Sequence, residues 1–169
     1  MIEARGAGVA RMRLVWASGV VAAGLFIGLL GYLAPLRPGP IALQFAWQPQ
    51  TFGAIVHLWP PEDLVRYRNH LAIDGVLLLA YAAFGWLLAT RSRVFLPLAP
   101  GARLFARLCL PLAALFDAAE NAFHWWLTEV PRFDTPSTYV LSTTCSTLKW
   151  ILLIGFGALV LYALARAED

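Results

Sequence analysis

Charge is scarce in this chain: of 169 residues only 14% are Asp, Glu, Lys or Arg, while 60% are hydrophobic. An ordinary soluble domain carries roughly 25% charged residues. The shortage excludes a water-soluble fold of this length, which could not hide so much apolar surface. Cysteine is nearly absent as well. Cys109 and Cys145 both fall inside hydrophobic segments, which removes support for a structural disulfide or a thiolate metal site. The 13 Lys+Arg against 10 Asp+Glu are nearly all arginines at the ends of apolar runs. That placement carries membrane topology, and it excludes nucleic acid as a partner. No internal repeat is present.

What is abundant is uninterrupted hydrocarbon. A bilayer core is crossed by about 20 apolar residues in a helix, and the pattern predicts four such spans, at approximately 14–36, 71–90, 104–128 and 139–165. The expected fold is a single all-α membrane domain, a four-transmembrane-helix bundle with an interfacial exterior loop between the first two helices. The first apolar run is longer than the core of a secretory signal and lacks a clear small-x-small cleavage site, so an uncleaved helix is expected. Gly24, Gly28 and Gly31 recur at i, i+4, i+7, a face that lets a second helix approach closely.

Between Arg37 and Asn69 the chain is rich in proline but also carries Phe45, Trp47, Phe52, Ile55, Leu58 and Trp59. Such a loop belongs on the membrane surface or over the bundle as a lid, with a short helix beginning near Thr51. Pro61 followed by Glu62 and Asp63 marks a helix start, because proline suits the first turn and acids suit the positive end of the dipole. Pro111 is expected to kink the third helix.

Orientation follows from the arginines outside the spans. Arg5, Arg11, Arg13, Arg91, Arg93, Arg103, Arg107 and Arg166 fall on one side and Arg37, Arg66, Arg68 and Arg132 on the other. The richer side is cytoplasmic by the positive-inside rule, which puts both termini in the cytoplasm of a multi-pass protein of the cell (inner) membrane. Trp16, Trp125, Trp126, Tyr139 and Tyr162 then fall at interfaces as belt residues.

Once the loop charges are allotted, Asp74, Asp117, Glu120 and Lys149 remain inside the spans. A charged group at membrane depth is costly by at least about 2.5–3.5 kcal/mol, so it faces a partner or a wet cavity. Asp117, Glu120, Asn121 and His124 are spaced i, i+3, i+4, i+7 and share one helical stripe. Tyr67, His70, Asp74 and Tyr81 share another on the second helix, and Ser142, Cys145, Ser146 and Lys149 a third on the fourth. Three polar stripes therefore converge, with Lys149 level with Asp117 at the floor of a pocket, and with His124 and Asp74 near its outer mouth.

Asp117, Glu120 and His124 are the candidate catalytic residues, since crowded carboxylates in a low-dielectric cavity are the material of proton transfer. Asp74, Tyr81, Asn121, Ser146 and Lys149 are the candidate ligand-binding residues. The plainer reading is that Lys149 with Asp117 or Glu120 is a neutralised pair joining two helices, and that His124 is a hydrogen-bonded bundle histidine. Ser146 lies three residues from Lys149, within reach for a serine–lysine pair, but serine is also common packing glue and no oxyanion-hole signature accompanies it. The E-x-x-x-H spacing departs from di-iron and zinc-helix patterns, so no metal and no cofactor is expected.

The order of an aromatic loop ending in Trp59, Asp74 followed by Tyr81, and the D-A-A-E-N stretch holding Asp117, Glu120 and Asn121 resembles small uncharacterised four-helix bacterial membrane proteins with a D-x-x-E-N element in the third span. That resemblance implies a fold and no activity. The residues themselves point to a pocket that binds a membrane lipid or isoprenoid-like lipophilic small molecule, or acts on it by acid/base chemistry, from the exterior leaflet. A non-enzymatic accessory subunit, whose acids meet a membrane-protein partner, is the alternative. Ion conduction fits less well, because the inner half of each span is dry.

Overall fold

The computed structural model describes residues 2–130 and 132–166 of the chain. Among them six helices follow one another: α1 (Ile2–Leu33), α2 (Pro40–Gln44), α3 (Pro49–Leu58), α4 (Pro61–Arg91), α5 (Pro100–Leu127) and α6 (Pro136–Ala165). Every helix after the first opens on proline. The missing N–H is one of the unpaired donors of a first turn in any case, and the fixed φ is already helical. The side chains of Arg5 and Arg11, counted in the topology argument, lie outside the described residues.

Met12–Leu33 of α1, all of α4 and all of α6 are long and apolar enough to cross a membrane. The chain is therefore a multi-pass helical membrane protein. The fourth expected span, α5, has 28 residues and so ample length, but its composition is diluted by the polar stripe it carries. Its buried residues Ala106, Cys109, Leu110, Ala113, Asp117, Glu120, His124 and Leu127 recur at helical spacing, which turns that stripe inward between its neighbours. Apolar side chains face outward on α5 and on the other long helices alike, among them Leu104, Leu115, Trp16, Ile27, Leu79 and Ile154.

The long helices pack in the order α1–α4–α5–α6, and no comparable interface joins α1 to α6 among the described residues. The expected bundle is thus a curved row with one open side. Its closest approaches correct the glycine reading. A methyl group at Gly24, Gly28 or Gly31 would meet nothing within 4 Å, whereas at Gly19 it would fall 2.9 Å from the Phe84 ring and at Gly85 2.6 Å from Leu110 Cβ. The recurring glycines lie on an unpartnered face of α1, and two solitary glycines let helices touch.

One end of the row is capped by the loop expected to act as a lid. Leu36, Leu43, Phe52, Ile55, Val56 and Trp59 pack with Tyr67, Leu71, Leu127 and Tyr139 into a second apolar core, and Trp59 Nε1 donates to the Pro38 carbonyl at 2.8 Å. Ile41, Phe45, Trp47 and Leu58 remain exposed on the outer surface of this cap. The first span ends at Leu33, three residues before the expected Leu36, because Pro35 stops it and Leu36 turns into the cap core. Tyr139, expected in the interfacial belt, is fully buried: the Phe52 ring meets it edge-on at 5.1 Å and the Arg132 backbone N–H donates to its hydroxyl at 3.1 Å. Trp16, Trp125, Trp126 and Tyr162 are exposed, as belt residues should be.

Candidate functional site

The inward stripe of α5 meets polar side chains from α4 on one flank and α6 on the other. Lys149 Nζ donates to Asp117 Oδ1 at 2.9 Å and lies 2.6 Å from Glu120 Oε2, the latter an ion contact rather than an aligned hydrogen bond. One ammonium thus bridges two carboxylates one turn apart. All three side chains are buried, Glu120 to within 1% of complete occlusion. From α4, the Tyr81 hydroxyl donates to Asp117 Oδ2 at 3.1 Å, and Asp74 Oδ2 accepts from the Asn121 amide at 2.6 Å. Asp117 is thereby held from both sides, whereas among the described residues Asp74 is met by an uncharged amide alone.

These residues line a cavity of about 630 Å³, within the range of small-molecule sites. Asp74, Tyr81, Asp117, Glu120, Asn121 and Lys149 all face it, so six of the eight candidate residues share one surface. The remaining two stand behind it. Ser146 is fully buried, and its hydroxyl donates to the Ser142 carbonyl on its own helix at 3.1 Å. That is a local helix bond of the packing kind.

His124 is held behind the lining as well. Its Nδ1 is 2.5 Å from the Tyr67 hydroxyl and 3.9 Å from Glu120 Oε1, the Phe52 ring covers it edge-on at 5.6 Å, and Nε2 is buried without a partner. The cap therefore shields the histidine from the outer mouth where the helix count placed it.

Five lining residues with polar side-chain atoms were not among the candidates. Tyr67 belongs to the α4 stripe, and so does His70. In the fold it is buried against the Tyr67 ring, with centroids 4.6 Å apart, and its Nδ1–H donates to the Tyr67 carbonyl. Trp150 and Gln44 also face the cavity, and Trp150 Nε1 donates to Gln44 Oε1 at 2.9 Å. No local sequence signal announces that bond, since it joins the cap to α6. Arg37 lines the cavity too, its guanidinium donating to the Ala34 and Leu36 carbonyls of its own turn.

The rest of the wall is hydrocarbon, supplied mainly by α1: Ala22, Ala23, Phe26, Leu29, Leu30 and Leu33. The site can therefore hold a molecule that is polar at one end and apolar along its length. Among the described residues no group of three or more His, Cys, Asp and Glu side chains is arranged to hold a metal ion. Comparison with protein-family models, curated proteins and solved structures gives no match for this chain.

Proposed function

We propose that the chain binds a lipid or isoprenoid-like small molecule in this cavity and acts on it by acid/base chemistry. In this reading α5 is a fourth span whose polar stripe is turned inward between α4 and α6 while Leu104, Leu108 and Leu115 face outward, and both termini are cytoplasmic, which the arginine distribution favours. Asp117 and Glu120 exchange the proton, Lys149 sets their charge, and Tyr81 and Asn121 orient the ligand. His124 acts on the site through Glu120 and Tyr67 from behind. The observation that carries the reading is the pairing of a polar floor of three carboxylates and one ammonium with apolar walls in a single cavity of about 630 Å³.

Mass spectrometry of the protein purified in mild detergent tests it. The expected result is one amphiphilic small molecule per chain, depleted in Asp117→Asn and Glu120→Gln variants that accumulate to normal level. A stoichiometric protein partner with no retained small molecule would replace the proposal with the accessory-subunit reading.

A further inference from the structure

α1 and α6 both line the cavity, yet among the described residues they form no interface comparable to those joining the other long helices. They face each other across a gap. Phe26 and Leu30 mark its edge on α1, because each lines the cavity and they keep 45% and 56% of their surface accessible. Trp150 and Leu153 supply the facing edge on α6. Both helices are apolar and long enough to cross a membrane, so the gap opens onto acyl chains rather than water. At its capped end it is bridged by the hydrogen bond from Trp150 to Gln44.

Charge inside the cavity is unevenly paired. Its lining holds three carboxylates, Asp74, Asp117 and Glu120, against the two cations Lys149 and Arg37. Lys149 is shared between Asp117 and Glu120, and Arg37 is turned onto its own main chain. Asp74 is left with the Asn121 amide. At Asp74 an anionic headgroup would meet like charge, whereas an ammonium would pair with the carboxylate that neither cation contacts. Beyond Asp74 the wall continues as Leu77, Phe84, Ala22 and Gly19, and Tyr81 between them turns its hydroxyl onto Asp117.

Resting on the pocket proposed above, the geometry points to a single-chain amphiphile with an ammonium head, admitted sideways from the bilayer between α1 and α6. Its head sits at Asp74, its tail lies along α1, and the Gln44–Trp150 bond is the latch of the gap.

The test places the full chain in nanodiscs of phosphatidylcholine and offers hexadecylamine, hexadecanol and palmitate, with occupancy read by native mass spectrometry. Hexadecylamine is expected to bind one per chain and at least about tenfold more tightly than palmitate, and Asp74→Asn is expected to remove that preference. Rates are read by tryptophan quenching with a chain-brominated amine. Gln44→Leu is expected to raise the on-rate and off-rate together, while Ala23→Trp, which narrows the gap, lowers both.

Palmitate binding as tightly as the amine overturns the ammonium assignment. Amine binding with rates indifferent to both gap variants overturns the sideways route. If the purified protein retains a native small molecule but binds none of the three probes, this inference falls alone. If it neither retains nor binds any, the reading beneath it falls too.

Discussion

Replacing Lys149 with Met isolates what the buried charges contribute. The ammonium lies 2.9 Å from Asp117 Oδ1 and 2.6 Å from Glu120 Oε2. At an effective dielectric of about 20, each contact corresponds to roughly 6 kcal/mol of gross attraction. Desolvation of three buried charges offsets much of that, so the pair interactions alone say little about net stability. Removal of one partner is different. Methionine fills most of the lysine volume but leaves two carboxylates unpaired in the interior, and the expected loss is about 3–5 kcal/mol.

The triple variant Lys149→Met, Asp117→Asn, Glu120→Gln takes the charges away together at nearly constant shape. It is expected to recover most of that loss, since neutral groups of similar volume avoid the uncompensated charge. Reversible unfolding in one detergent, followed by steric trapping, gives the free energies of all three proteins. A Lys149→Met variant within about 1 kcal/mol of the wild type, or a triple variant less stable than the single one, would refute the reasoning.

Helix contacts give a second set of expectations. Gly85→Ala sets a methyl group 2.6 Å from Leu110 Cβ and is expected to destabilise by about 1–3 kcal/mol, with partial rescue by Leu110→Ala, as measured by thermal unfolding. Gly24→Ala and Gly28→Ala meet open space and are expected to leave stability unchanged or slightly raised, a contrast that a packed glycine face would reverse. Phe52→Ala removes the ring that covers both His124 and Tyr139. It is expected to cost about 3–5 kcal/mol and to raise amide exchange across α3 before α5, a pattern read by hydrogen-exchange mass spectrometry.

Much of this architecture is legible in the chain because lipid imposes so few solutions. Span lengths follow from bilayer thickness, and the α4 start at Pro61 follows from proline chemistry. The other helices after α1 also open on proline, at Pro40, Pro49, Pro100 and Pro136, whereas the apolar pattern starts three of them later, near Thr51, Leu104 and Tyr139, and shows none at Pro40. The site is legible for a related reason: helical register alone puts Asp117, Glu120 and Asn121 on one face, and only a bundle interior can accept them. Opposed helix ends then bring Lys149 level with Asp117.

What register cannot reveal is which face of α1 has a neighbour. Gly24, Gly28 and Gly31 have the spacing of a packing face, yet the open side of the helix row leaves them unpartnered. Depth fails for a similar reason. His124 and Tyr139 count as near the surface along their own helices, but Phe52, from a distant part of the chain, folds over both. Burial by a cap is a non-local fact. So is the Gln44–Trp150 bond.

The central claim is that one ammonium from α6 meets two carboxylates from α5 beneath a lipid-facing wall, and the composition of the chain makes it directly measurable. Lys149 is the sole lysine, so protein labelled with 15Nζ-lysine, 13Cγ-aspartate and 13Cδ-glutamate gives a single side-chain ammonium signal in solid-state NMR of a lipid sample. The account expects strong dipolar recoupling of that nitrogen to one Asp carboxyl and one Glu carboxyl, with the Asp coupling lost in Asp117→Asn and the Glu coupling in Glu120→Gln. A lysine nitrogen that recouples to neither carboxyl carbon would contradict it.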